Sequence, residues 1–376
     1  MKRSDTSRML TRRHFLKGAA AITALSGAVP LLASALSGQA PSPEAAESRN
    51  RNKPPRRCGF NLHNMHSTKG LGGYEQHDFR WMSEWGFDWV RIPVAYQLIT
   101  LNDDPYELDE WWLDLLDRAM EYGPRYGVHV CLAMQSAPGK KSPRQPYSLW
   151  KDQEALDAFC FLWKVLAERY KGISPAKLSF NLINEPPPVG EQMSALDYKR
   201  VAGAAAAAIR QVRPDRPIVA DGTKWANFPC PELKDLDVGQ SVHMYVPWAL
   251  THHEAPWMAG WESYPEPQWP GVVWEGVTWN RDALEEYYRP WFELAEQGVS
   301  VHCGEMGVYN KTPHAIALAW MRDVLDMLKS HNIGWALWNF RGEFGILDSD
   351  RADIEYEDFN GHKLDRKLLA LLQEFA

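Results

Sequence analysis

Leu178-Ser179-Phe180-Asn181-Leu182-Ile183-Asn184-Glu185-Pro186 reads as a buried strand that ends on a charge. The run Leu178–Ile183 is short and mostly apolar, as a strand covered on both faces should be. Asn184 and Glu185 follow with no turn residue between, and Pro186 ends the pairing because it lacks an N–H. A carboxylate placed directly after a buried strand needs partners or a function.

The same pattern recurs on both sides of this stretch. Upstream lie Cys58–Leu62, Asp88–Val94 and His129–Met134; downstream lie Pro217–Asp221, Gly239–Tyr245, Val299–Gly304 and Gly334–Asn339. Amphipathic segments separate them. Asp109 to Tyr122 carries Trp112, Leu115, Leu116 and Met120 on one face. Asp152 can cap a helix that runs to Tyr170 and stops at Gly172. Thr312-Pro313 supplies an N-cap and a first-turn proline for a helix reaching Lys329. Leu364 to Phe375 forms the last helix, and the fifth is poorly marked, around Pro231 to Asp235. Eight strands alternating with helices predict an α/β protein of the (β/α)8 TIM-barrel type. No GxGxxG turn follows a strand, which argues against a doubly wound nucleotide fold.

Residues 58–376 make up the barrel, and the N-terminus reads differently. Thr11-Arg12-Arg13-His14-Phe15-Leu16-Lys17 precedes a small-residue, weakly apolar stretch to Ala40, the pattern of a twin-arginine export signal over residues 1–40. Pro30 and the small residues oppose a stable membrane span. Residues 41–57, rich in Pro, Glu, Arg and Asn, read as a disordered linker. The expected location is therefore periplasmic or extracellular.

The net charge of −7 over 376 residues is mild, so nucleic acid and anionic membrane are not the expected partners. The five cysteines have no zinc or redox spacing and are expected as buried free thiols, with one disulfide left open. No cofactor or metal is called for, and the oligomeric state is not readable. The unusual number is 18 Trp. Clustered at a surface, Trp serves stacking recognition, although at least half of these must fill the core. Six of them, Trp248, Trp257, Trp261, Trp269, Trp274 and Trp279, fall between Val246 and Asn280. So long a connection after the sixth strand is expected over the catalytic face, where it walls one end of a cleft.

In such a barrel the active site lies at the C-terminal strand ends. Standing there are Arg91, Gln135, Asn184, Glu185, His243, Tyr245, Glu305 and Trp338. Glu185 and Glu305 end strands four and seven, so they face one mouth from opposite sides. Two carboxylates in different surroundings can divide into an acid and a nucleophile. Weaker candidates for substrate contact are His63, Trp225, Trp248 and Glu343. Lys140, Lys141 and Arg144 read as a solvated basic patch.

The ordered series Asn184-Glu185-Pro186, His243-Met244-Tyr245, Gly304-Glu305 and Trp338, with Arg91 in Trp89-Val90-Arg91-Ile92-Pro93, resembles glycoside hydrolase family 5, the cellulase-like retaining barrels, from Cys58 to the C-terminus. The resemblance implies hydrolysis of a β-linked glucan or oligosaccharide. It makes Glu185 the acid/base and Glu305 the nucleophile, about 5 Å apart. It gives Asn184 a sugar 2-hydroxyl, sets Arg91 and Tyr245 to hold Glu305 ionised, places His243 near Glu185, and makes Trp338 a stacking floor. One departure stands out: Gln135 occupies a place where the family often has histidine, and glutamine cannot titrate near neutrality. Two other readings remain open from the residues, a catalytically silent carbohydrate-binding barrel and a metal-dependent hydrolase using His63, His66, His243 and His302.

Overall fold

The computed structural model describes residues 55–140 and 148–376. The expected export signal lies outside the described residues, as do the linker up to residue 54, Lys141 and Arg144. Eight parallel strands close a barrel in sequential order: β1 (Cys58–Asn61), β2 (Trp89–Ala95), β3 (His129–Ser136), β4 (Leu178–Asn181), β5 (Ile218–Asp221), β6 (Gly239–Met244), β7 (Val301–Met306) and β8 (Gly334–Leu337). β1 pairs with both β2 and β8, so the sheet has no edge. Each strand falls within two residues of its expected span.

Among the described residues, seven helices of nine or more residues surround the barrel: α1 (Gln76–Glu84), α2 (Glu110–Arg125), α3 (Gln153–Arg169), α4 (Ala195–Val212), α5 (Arg281–Glu296), α6 (His314–Ser330) and α7 (Arg366–Glu374). Asp109 caps α2 by accepting from the N–H groups of Trp111 and Trp112, and Ser194 with Asp197 forms a capping box on α4. Between β5 and β6 there is only a four-residue turn, Thr223–Ala226, and a 3-10 segment, Pro231–Leu236, which explains the weak fifth helix signal.

Three expectations need correction. Pro313 is the N-cap of α6, not its first residue; the Thr312 hydroxyl donates to the Leu250 carbonyl, and Asp353 receives the His314 N–H instead. Asp152 precedes α3 without capping it, because its carboxylate accepts from the Ser148 N–H. The last residues assigned to the linker belong to the fold: Arg57 accepts from Trp335 N at 3.0 Å and pairs with Asp88 at 3.0 Å. All five cysteines are free thiols. Among the described residues, no helix is long and apolar enough to cross a membrane.

The core is continuous through both faces of the strands, with Trp163, Trp291, Trp320 and Trp335 fully buried. Towards the C-terminal mouth the barrel lining changes character. Asn61, Arg91, Asn181, Asp221 and His243 are all buried there, where an apolar layer would otherwise stand. Such groups are tolerable only when they satisfy one another.

Candidate active site

Arg91 on β2 is the hub. Its Nη1 donates to Glu305 Oε1 at 2.8 Å and to Asn61 Oδ1 at 3.0 Å. Nη2 donates to Asn184 Oδ1 at 2.8 Å, and Nε to Asn181 Oδ1 at 2.9 Å. Asn61 in turn donates to the carbonyls of Gly304 and Leu337, tying β1 to β7 and β8. The guanidinium fork thus spans the mouth and fixes four strands around one charge.

Glu305 is placed by a bulge. The pairing of β7 with β6 shifts register between Cys303 and Glu305, the usual device for re-aiming a side chain at a strand end. Gly304 is required here, since a Cβ would lie 2.4 Å from Ser241 Oγ and 3.3 Å from His243 Nε2. Besides Arg91, Glu305 accepts from the Tyr245 hydroxyl at 3.1 Å, and His243 Nδ1 lies 3.4 Å away.

Glu185 sits four residues past the end of β4 in the left-handed region, φ 47°. That conformation costs a non-glycine residue about 1–2 kcal/mol. The Glu185 N–H is held there by Asp221 Oδ2 at 3.0 Å. Its Oε1 lies 3.0 Å from His243 Nδ1. The ligand atoms of Glu185, His243 and Glu305 all lie within 4.8 Å of one another. Among the described residues this trio could receive a metal, but the Arg91 cation already bound to Glu305 opposes a second positive charge there.

Burial pushes both carboxyls up. In Glu305 it prevails, lifting the group to about 7 against the pull of His243 and Arg91. In Glu185 burial is outweighed by the hydrogen bond and charge of His243, with Lys140 and Arg91, and the direction is down. Burial lowers His243, but Glu305, Asp221 and Glu185 raise it further. The three groups titrate as one system. We place the negative charge on Glu305, the reverse of what burial alone favours. Arg91 and Tyr245 keep their donors on its oxygens wherever the imidazole proton goes.

The outer candidates separate into two walls. On the β8–β1 side, His63 lies 3.9 Å from the Trp338 ring and 4.7 Å from His66, centroid to centroid. The Nε2 of His63 and the Oε1 of Gln135 are buried without a hydrogen-bond partner, two polar atoms of the kind a sugar hydroxyl would satisfy. On the β5–β6 side, Trp225 meets Trp248 edge-on at 5.9 Å, and Trp248 continues to Trp274 at 5.9 Å. Lys224, Trp225 and Ala226 are all left-handed, and the N–H of Trp225 donates to the carbonyl of Pro186, next to Glu185. Glu343 is exposed beside Tyr309.

Asn184 accepts from Arg91 through Oδ1, so the amide nitrogen is the group left for a sugar hydroxyl. Lys140 is 7% exposed and lowers Glu185, so it is not the solvated charge expected from sequence. His302 lies under the barrel, tilted against the Trp89 ring with Nε2 3.2 Å from the Arg57 carbonyl, so the four-histidine metal set is not assembled. Asn61, Asn181 and Asp221 are site residues that sequence reading missed.

Comparison with known proteins bears on the family and the fold. A family model described as Cellulase (glycosyl hydrolase family 5) matches residues 52–343. Endoglucanase C of Acetivibrio thermocellus is 26% identical over 320 residues, covering 76% of this chain and 89% of its own length. Cellodextrinase A of Ruminococcus flavefaciens is 24% identical, covering 69% and 76%. A crystal structure described as a glycoside hydrolase superposes with a TM-score of 0.81 at 39% identity, covering 85% of this chain and 99% of that one.

Proposed function

The chain belongs to glycosyl hydrolase family 5 and is a glycoside hydrolase, and on that premise we propose that it cleaves β-linked glucans or their oligosaccharides by double displacement with net retention. The observation that carries this reading is the separation of the two carboxylates. Oxygens of Glu185 and Glu305 lie within 4.8 Å, close to the ~5 Å of direct nucleophilic attack, whereas inversion needs roughly 6.5–9.5 Å to admit a water.

Glu305, ionised beside Arg91 and Tyr245, attacks the anomeric carbon. Glu185 gives its proton to the glycosidic oxygen as that bond breaks, and the sugar is left as an ester of Glu305. Glu185, now a carboxylate, takes a proton from water, which displaces Glu305. Asn184 meets the 2-hydroxyl, and Trp338 with His63 stacks the ring. Similarity to an endoglucanase and a cellodextrinase supports glucan as the substrate class. The Arg12-Arg13 leader supports export by the twin-arginine route.

Azide distinguishes the two carboxylates. Glu305→Gly should lose at least about 10⁴-fold in kcat and recover activity with azide, giving an α-glycosyl azide by a single inversion. Glu185→Ala should spare activated aryl β-glycosides relative to cello-oligosaccharides and give the β-azide. A first-formed α-product from the wild type would overturn the retaining reading.

A further inference from the structure

We propose that Asp221 is a positioning residue for the proton of Glu185: from beneath the site it keeps a proton on His243 Nε2, so that Nδ1 faces Glu185 Oε1 and shares with it the proton that the reaction moves. The proposal rests on the double-displacement reading above.

Asp221 ends β5 and is 0% exposed. A carboxylate taken this far from water persists only where fixed donors and cations surround it. Its Oδ1 accepts from Asn181 Nδ2 at 2.9 Å. Its Oδ2 accepts from the Glu185 N–H at 3.0 Å, lies 3.3 Å from His243 Nε2 and lies 3.7 Å from Arg91 Nη2. Tyr198 of α4 donates to its backbone carbonyl at 2.6 Å, and the Cys131 thiol of β3 also feels its charge. One buried side chain therefore touches the acid's backbone, the imidazole and the guanidinium. The Nε2–Oδ2 contact is electrostatic and not an aligned hydrogen bond.

The imidazole is buried between three carboxyls, Glu185 and Glu305 on its Nδ1 side and Asp221 on its Nε2 side. A proton on Nδ1 alone would turn the Nε2 lone pair towards Asp221, a repulsion between two fully buried groups. A proton on Nε2 removes that clash and leaves Nδ1 to accept from protonated Glu185. When Glu185 transfers its proton to the leaving oxygen, its O–H bond breaks and the charge stays on Glu185. When water attacks, a water O–H bond breaks and Glu185 is protonated again. His243 keeps its Nε2 proton throughout, and the negative charge of Asp221 opposes premature loss of the Glu185 proton.

Asp221→Asn removes the buried negative charge and keeps the shape. With its oxygen in the place of Oδ2, the asparagine still faces both the Glu185 N–H and His243 Nε2, and its amide nitrogen takes the place of Oδ1 beside Asn181. The charge that held the Nε2 proton and opposed loss of the Glu185 proton is gone, so the Glu185 carboxylate forms more readily. The alkaline limb of kcat/KM should move about one pH unit towards acid. At neutral pH, kcat/KM on cello-oligosaccharides should fall roughly 10- to 100-fold, with little change on an activated aryl β-glucoside. A loss uniform across pH and leaving groups, with the limb in place, would reduce Asp221 to a structural residue and overturn the proposal. Should Asp221→Asn fail to fold, the ¹⁵N spectrum of histidine-labelled wild type, assigned with His243→Gln, decides instead. A protonated Nε2 on neutral His243 supports the proposal and a protonated Nδ1 overturns it. That spectrum needs no turnover, so a wild type inert on every β-glucoside would sink the double-displacement reading and still leave this inference testable.

Discussion

Two layers of one barrel bury His243 and a pair of floor histidines in opposite ways. At the mouth, the His243 imidazole is surrounded by Glu185, Glu305 and Asp221, which raise it against its burial. Under the floor, His129 and His302 flank the Trp89 ring at 4.7 and 4.5 Å, and burial lowers each to about 3. Their hydrogen-bond partners are neutral: the Ala176 carbonyl and Ser179 hydroxyl for His129, the Arg57 carbonyl for His302. Burial is common to all three. Neighbouring charge decides whether a buried histidine is a proton carrier or an aromatic spacer.

The largest break in this comparison should come from Arg91→Met. It leaves Glu305 and Asp221 buried without the cation that faces both, at 2.8 and 3.7 Å. Breaking a buried pair from one side costs about 3–5 kcal/mol. Chemical denaturation at pH 7 should show that loss, and kcat should fall at least about 10³-fold. A variant as stable as wild type would mean that water enters the polar layer and already screens it.

Most of the barrel and half of the site are legible in the sequence, for a physical reason. A strand buried on both faces leaves a run such as Leu178–Ile183, and the charge closing that run marks its catalytic end. Glu185, Glu305, Arg91, His243 and Tyr245 follow from that pattern. Asp221 carries the same mark, after Ile218-Val219-Ala220, but its role depends on which neighbour's backbone reaches it. Asn61 and Asn181 look like ordinary strand residues until Arg91 is seen to need acceptors. Lys140 reads as a solvated charge because nothing local records that its chain passes beside Glu185. The left-handed turn at Trp225 is hidden as well, since it contains no glycine.

The next effect is a matter of pH. His129 and His302 have folded values near 3, well below about 6.5 in the unfolded chain, so unfolding takes up protons between those values. Their contribution is complete above pH 6.5 and is lost as pH falls towards 3, on the order of 4 kcal/mol for each group. His243, raised in the folded state, has the opposite sign: its contribution is present below 6.5 and is lost as pH rises through its folded value. Unfolding free energies measured from pH 7 to 4 should therefore fall steeply in the wild type. In His129→Gln with His302→Gln the fall should be several kcal/mol shallower, at a cost of about 1 kcal/mol per site at pH 7. Equal slopes would show that the floor histidines are already reached by water.

The smallest effect should come from Ser179→Ala, and it tests the floor alone. The Ala176 carbonyl can only accept, so His129 carries its proton on Nδ1, 3.0 Å from that oxygen. Its Nε2 must then accept from the Ser179 hydroxyl at 2.9 Å. Removing the hydroxyl strands one acceptor between Trp89 and the β3–β4 seam. The expected loss is about 1 kcal/mol, with kcat unchanged. The neutral imidazole also loses the bond that favoured it, so its titration should move up from about 3 but stay below 6.5, because burial remains. Histidine NMR titration gives the answer. A His129 that charged near neutrality in Ser179→Ala would show that one hydroxyl, and not the absence of carboxylates, keeps this end of the barrel neutral.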